Sequence, residues 1–434
     1  MQGVAGSCSA GARSGGPGGF GSRSRPAVDA HHGVAGDDAR WDPRHVRVLC
    51  ATTGNDGHFG PLLPFARALA AAGFEVRVAA PASYTGAVSG AGFLHEPFAD
   101  APRELIGPVM ARLPTLAFDE ADDVVVREVF ARIDAQAGLP SLIETVERWR
   151  PDLVIRESAE LASLAAAERA GVPHVHVCIG MHEVVSRFAE AIGDPLEELG
   201  RLAGLAEGRM TAALASETVL SLVPEVLDHA GGRVLPGADR FMRFHEPPPT
   251  TGDHRLAGWG DPDAPLVYVT FGSVTGSLPT FAGVFRAALD ALADVEARVL
   301  LTVGRKIDPA GLGALPLNAH VEQWWPQDAV LVHAAAMLGH GGFGTTMGAL
   351  AAGVPQVVVP LFSFDQVVNG QHVAAVGAGL TVGRGPTAVG LAATEVPRLL
   401  AVPTYAASAR RIAVEMGNLP LPTEAVPALA ALVG

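Results

Sequence analysis

Between Asp328 and Asp365 the chain carries no Asp, Glu, Lys or Arg. An apolar run of that length raises the question of a membrane span, for which about 20 residues suffice. Gly341, Gly342, Gly344, Gly353, Pro355 and Pro360 break the run into short pieces. Short apolar pieces flanking a helix-length segment are the mark of a parallel sheet buried on both faces. The pattern predicts a strand over 336–338, a helix over 345–352 and a strand over 356–359. The same alternation opens the ordered part of the chain. It predicts a strand over 46–52, a loop over 54–60, a helix beginning at Pro61 and stopped by Gly73, and a strand over 75–80. Strands over 151–157, 266–271, 298–303 and 319–322 and a helix over 119–148 complete the main pattern. This is an α/β chain of doubly wound sheets. Proline- and threonine-rich residues near 247–252 interrupt it as a linker. The expected organisation is a first domain over 45–240, a linker over 241–262, a second domain over 263–400 and closing helices over 401–434.

Composition narrows this picture. Residues 1–44 are rich in Gly, Ser, Arg and Ala and carry almost no periodic apolar positions, so they read as a disordered tail or a start assigned too early. A metal site at His31 and His32 is not expected there. Net charge is −14, from 31 basic and 45 acidic residues, which speaks against a nucleic-acid partner and against an anionic membrane surface. Cys8, Cys50 and Cys178 form an odd set with no metal-ligand spacing and fit a reducing cytoplasm. Asp261-Pro262-Asp263 spells a D-x-D, but a proline between aspartates at a strand entry reads as a solvated turn.

The charge-free stretch also carries chemistry. Its glycine turn, 339–344, lies between the carboxyl end of a strand and the amino end of a helix. Free backbone N–H groups and the positive helix end make such a corner an anion site. His340 adds a donor in reach of a phosphate oxygen. Upstream, Trp324 offers a flat ring beside a Pro-Gln turn, and base stacking is worth roughly 1–3 kcal/mol. Downstream, Asp365 and Gln366 are placed to bind hydroxyls. Base stacker, phosphate cradle and hydroxyl binder describe a nucleotide-sugar pocket. Gly339, Gly341 and Gly344 also match G-x-G-x-x-G, with Asp365 about twenty residues on, as a dinucleotide fold requires. That reading, an NAD(P)-binding oxidoreductase, leaves Trp324, Gln327 and His340 without a role. In the first domain His58 follows the first strand, where open α/β sheets bind ligands. It is either a general base, whose imidazole titrates near neutrality, or a capping histidine.

Trp324, Pro326 and Gln327, the run from His340 to Thr346, Ala352 to Gln356, and Asp365, Gln366 and Asn369 together resemble the donor signature of family 1 glycosyltransferases. The nearest match is the bacterial branch that decorates antibiotics and related natural products. The resemblance implies the GT-B fold, two facing Rossmann-like domains with a cleft between them. It implies an inverting, metal-independent transfer without a cofactor, from a nucleotide sugar to a small hydrophobic aglycone such as a polyketide. Gly57, His58 and Pro61 match the family's G-H-x-x-P motif, which makes His58 the acceptor-activating base. Its orienting carboxylate falls on Glu157, in place of the usual aspartate. The donor contacts implied are Gly272, Ser273, Trp324, Gln327, His340, Gly341, Gly342, Thr345, Asp365 and Gln366. Phe118, Met181 and His182 fall in the acceptor region; His174 is expected to be ordinary packing. Plant relatives that use UDP-sugars carry a glutamate where this chain has Gly348, so a dTDP-sugar is expected, with UDP-sugar the alternative. One extra residue, Ser363 or Phe364, sits before Asp365. A non-catalytic auxiliary role is a third reading, disfavoured by the intact His58, and a homodimer is left open.

Overall fold

The computed structural model describes residues 46–232, 234–246, 256, 258–276 and 278–433. The stretch read as a tail, with Cys8, His31 and His32, and the linker residues 247–252 lie outside them. Seven strands form a first sheet: β1 (Arg47–Ala51), β2 (Glu75–Pro81), β3 (Leu94–Phe98), β4 (Leu153–Glu157), β5 (His174–Val177), β6 (Val219–Ser221) and β7 (Phe241–Arg243), in the order β3-β2-β1-β4-β5-β6-β7. Six form a second: β8 (Leu266–Thr270), β9 (Arg298–Thr302), β10 (Ala319–Glu322), β11 (Ala334–Gly339), β12 (Gln356–Val358) and β13 (Gly379–Thr381), in the order β10-β9-β8-β11-β12-β13. The pairings in both sheets are parallel. Both sheets are covered by helices on two faces, which is why β4 and β8 are buried at every position.

Each sheet reverses its order once, between β1 and β4 in the first and between β8 and β11 in the second. Loops leaving the two central strands there turn toward opposite faces and open a crevice at the carboxyl edge. His58 and Glu157 belong to the first crevice, and Ser273 and His340 to the second.

Two expected elements differ in instructive ways. The first helix spans Asp56–Ala71 and begins five residues before Pro61, because the Asn55 side chain accepts the Gly57 N–H at 2.8 Å and caps it. Pro61 and Pro64 are tolerated inside, and His58 lies on the first turn rather than in a loop. The long helix expected over 119–148 is instead Phe118–Val124, a π-helical segment Val125–Asp134 and Ala135–Trp149. A wider π turn shifts the face each side chain presents, and such segments concentrate at functional sites. β7 pairs with β6, so the first sheet continues into the stretch read as linker. Asp261 accepts the Asp263 N–H at 2.9 Å in a turn before β8.

The two sheets are joined by apolar packing. Met181, Val223 and Leu227 cluster with Phe343, Met347 and Ile412, and burying each such side chain is worth about 1.5–3 kcal/mol. The C-terminal segment returns to the first sheet, where Ala425, Val426, Leu429 and Ala430 pack with Val48, Phe65 and Leu69. Among the described residues no helix is long and apolar enough to cross a membrane.

Candidate active site

At the first crevice Glu157 is fully buried at the end of β4. Its carboxylate accepts the Thr53 N–H at 3.1 Å and the Ala159 N–H at 2.7 Å, and lies 3.1 Å from Nδ1 of His58. Thr53 Oγ1 stands 2.9 Å from the same nitrogen. The longer glutamate thus reaches the imidazole directly. Burial pushes the Glu157 carboxyl up, but the His58 charge and the hydrogen bonds outweigh it and hold the group below its usual range. For His58 burial pulls downward, and the Glu157 carboxylate more than reverses it, so the imidazole titrates above its ordinary value. Asp365, from the second lobe, acts in the same direction.

At the second crevice His340 follows β11 and is buried. Its ring lies against two glycines. A Cβ on Gly272, whose φ is +76°, would meet His340 Nε2 at 2.8 Å, and one on Gly342 would meet it at 2.4 Å. No carboxylate stands beside it; Nδ1 has no hydrogen-bond partner, and burial pulls the pKa down to about 4. The ring is neutral at physiological pH. Gly341, with φ +85°, closes the turn, and its carbonyl accepts the Asn369 amide at 2.7 Å. Gly342 caps the helix Phe343–Ala351, which carries Thr345 half-buried on its first turn. Ser273 is exposed beside it.

Trp324 is 52% exposed, with the Arg305 guanidinium 4.4 Å from its ring centre, so a flat face borders an open recess with Glu322 and Asp308. Gln327 opens the short helix Gln327–Leu331. Its Nε2 lies 2.7 Å from where a Cβ on Gly348 would stand. An amide, not a carboxylate, thus fills the space above position 348.

Three expected contacts lie in packed surroundings. Gln366 is 2% exposed, and its Oε1 accepts the Leu361 N–H at 2.8 Å and the Phe362 N–H at 3.2 Å. Through its oxygen it braces the loop that the extra residue lengthens, which leaves the Nε2 amide as its group for a sugar hydroxyl. Met181 is wholly buried in the cluster between the sheets. His182 is 1% exposed, its N–H donates to Asp228 at 2.7 Å, and its ring packs 4.4 Å from Phe241. Burying those side chains ties the strand ends and the two sheets together. His182, Asp228 and His229 come close enough to hold a metal ion, but Asp228 already pairs with Arg243 at 2.7 Å. Phe118 is half-buried at the rim, 5.2 Å beneath Arg384 of the second lobe. His174 bridges Glu168 and Glu217 at 2.8 and 2.9 Å and is structural.

Residues that the sequence pattern does not single out complete the site. Phe130 packs 5.4 Å from His58, ring centre to ring centre. Asp134, on the same π-helical segment, feels the charges of His58 and Glu157, and burial pushes it up to about 6. Phe364, at the extra position, donates its N–H to Asp122 at 3.0 Å and lies 3.7 Å under the Arg187 guanidinium. Both contacts cross between lobes. A cavity of about 450 Å³ opens beside Thr53, walled by Pro81, Phe98, Ile106 and Leu161.

Two parallel sheets meeting at a cleft, each offering its order reversal, define a sugar-nucleotide transferase architecture, and the comparisons with known proteins agree. The model of the Erythromycin biosynthesis protein CIII-like N-terminal domain matches residues 67–219, and that of the C-terminal domain matches 286–432. The L-demethylnoviosyl transferase of Streptomyces niveus is 32% identical over 393 residues, covering 89% of this chain and 98% of that protein. The TDP-daunosamine transferase DnrS of Streptomyces peucetius is 30% identical over 428 residues, covering 88% and 96%. The crystal structure of the glycosyltransferase VinC in complex with dTDP superposes with a TM-score of 0.69 at 25% identity, covering 89% of this chain and 99% of that one. The chain belongs to the family of natural-product glycosyltransferases with the GT-B fold. It is a glycosyltransferase.

Proposed function

We propose that this enzyme moves a sugar, most simply a deoxysugar, from a dTDP-sugar to a hydroxyl of a small apolar aglycone, with inversion at C1. The observation that carries the reading is Nδ1 of His58 standing 3.1 Å from the fully buried, ionised carboxylate of Glu157. The aglycone hydroxyl gives its proton to Nε2 of His58 as its oxygen attacks C1 of the sugar. Glu157 holds Nδ1–H and stabilises the imidazolium that forms. The bond from C1 to the diphosphate breaks, and the electron pair leaves with dTDP. Backbone N–H groups at Gly341 and Gly342, Ser273, Thr345 and the neutral His340 ring would meet the departing charge. Preorganised donors of this kind supply charge stabilisation from the chain itself. Trp324 would carry the base.

The dTDP preference is supported by the absence of a carboxylate at Gly348 and by Gln327 filling that space. A ribose 2′-hydroxyl would find no acidic partner there. The named donor of the Streptomyces peucetius relative and the dTDP complex of VinC point the same way. The test is a panel of dTDP- and UDP-sugars with phenolic acceptors, read by mass spectrometry, together with thermal melts. The reading requires product from a dTDP-sugar and a melting temperature raised by dTDP. A rise with NADH and none with either nucleotide would sink it.

A further inference from the structure

We propose that Asp134 is the polar anchor of the acceptor pocket, taking a hydrogen bond from a second hydroxyl that the aglycone carries near the one to be glycosylated. The inference rests on the transferase reading and names the substrate class of that site. The cavity beside Thr53 is lined by three carboxylates, Asp100, Asp134 and Glu160. Two of them are already used. Asp100 accepts the Ser83 N–H at 3.0 Å and its hydroxyl. Glu160 accepts the Ala162 N–H at 3.0 Å and the Ser163 N–H and hydroxyl, capping the helix Ala162–Ala170. Among the described residues Asp134 has no hydrogen-bond donor facing it, although it is half-buried. Its oxygens still reach solvent, so a ligand hydroxyl can take the place of water on the one lining carboxylate that the protein leaves without a donor.

Position supports the assignment. Asp134 closes the π-helical segment whose Phe130 packs on the His58 ring. Thr53, which touches Nδ1 of His58, lines the same cavity. A molecule bound there meets Thr53, the contact of His58 Nδ1, and Asp134 on the wall beside it. Phe98, Ile106 and Leu161 supply apolar walls suited to a flat ring system. About 450 Å³ is within the range for a drug-sized ligand. Three carboxylates against one cation, Arg103, leave the lining net negative and disfavour an acidic acceptor. The class that fits is a neutral, polyhydroxylated aromatic or polycyclic aglycone.

The test uses 2,3-dihydroxynaphthalene and its mono-methyl ether, 3-methoxy-2-naphthol, titrated by calorimetry into the dTDP-loaded protein. Asp134→Ala and Asp134→Asn are compared with the unaltered chain. A hydrogen bond to a charged group predicts that the unaltered protein prefers the diol by about 10-fold to 100-fold. In Asp134→Ala that preference should vanish, with dTDP affinity unchanged as a check on folding. An unaltered protein that binds the two alike, or neither, overturns the proposal, as does a preference that survives in Asp134→Ala. The two readings fail separately. Diol preference lost in the variant without transfer in any assay counts against the transferase chemistry alone. Transfer with an unchanged preference counts against the Asp134 anchor alone.

Discussion

The two crevices are built alike and tuned oppositely. Each lies where strand order reverses, between β1 and β4 or between β8 and β11, and each carries a histidine just beyond a central strand. At the first, a buried carboxylate 3.1 Å from Nδ1 lifts the imidazole above its ordinary value of 6.5. At the second, the ring is enclosed by glycine backbone, has no carboxylate, and falls to about 4. Burial acts downward on both; the neighbour decides the outcome. On the proposed reading the first setting suits a base that gains a proton, and the second a ring that donates to a diphosphate without itself changing charge.

Replacing the first histidine should break the comparison most severely. His58→Ala removes the proton acceptor and should lower kcat by about 10²–10⁴-fold. dTDP should still raise the melting temperature, because the second crevice is untouched. Steady-state kinetics and a thermal melt read the two effects; full activity would end the base assignment.

Glu157→Gln sharpens the comparison by making the first crevice resemble the second. Loss of the partner that orients and charges His58 should cost about 10–100-fold in kcat/KM. The pH profile carries more information. The base acts when neutral, so activity falls as pH drops through the His58 pKa. That pKa lies above 6.5 in the unaltered enzyme; without Glu157 burial is opposed only by the lesser pull of Asp365 and Asp134, and the acid limb should move to lower pH. Stability should follow the same logic. The His58 contribution is full below 6.5 and fades as pH rises through its raised folded value. The Glu157 contribution is full above its ordinary 4.5 and fades as pH falls through its lowered folded value. The variant's deficit in melting temperature should therefore be largest between pH 4.5 and 6.5. A limb that does not move removes Glu157 as the cause.

Gly342→Ala tests the other side. The new methyl would stand 2.4 Å from His340 Nε2 and must displace the ring from the phosphate corner. Donor KM should rise on the order of 10-fold, about 1.4 kcal/mol, with acceptor KM unchanged. Kinetics with each substrate varied in turn separate the two, and an unchanged donor KM would mean His340 does not set the donor site.

Much of this was legible in the residues, and the gaps have physical causes. Strand-forming runs and glycine turns mark the central strands, because parallel strands buried on two faces leave a continuous apolar pattern, but their order in each sheet is set by long-range pairing. The His58–Glu157 contact was implied by the family resemblance, with Glu157 in the usual aspartate's place. The start of the first helix was misplaced because Pro61 is a louder signal than Asn55, although the cap sets the boundary. Gln366 looks like a sugar ligand in sequence, but its oxygen closes a loop whose N–H groups had no other partner. Met181 and His182 follow a strand end, as ligands often do, and nothing local says that a second lobe covers Met181. Asp134 was invisible for a different reason. A ten-residue π-helical stretch breaks the 3.6-residue period on which any reading of helix faces depends.

The smallest effect concerns that same carboxylate and should run opposite to intuition. Burial raises Asp134 from an ordinary 3.8 to about 6. A folded-state value above the unfolded one means the folded chain holds its proton more tightly. The unaltered protein therefore loses stability as pH rises from about 4 to about 6, and keeps that deficit above. Asp134→Asn keeps the shape and removes the charge, so the variant should be more stable than the parent at pH 8, on the order of 1–3 kcal/mol, or a few degrees in Tm. Below pH 4, where the parent carboxyl is protonated in both states, the two should melt together. His58 opposes the trend by favouring the ionised form, while Glu157 reinforces it, so the gap should widen when Asp134→Asn is made in a His58→Ala background. A variant less stable than its parent at pH 8 would show that Asp134 holds the fold and is not kept at its expense for a ligand.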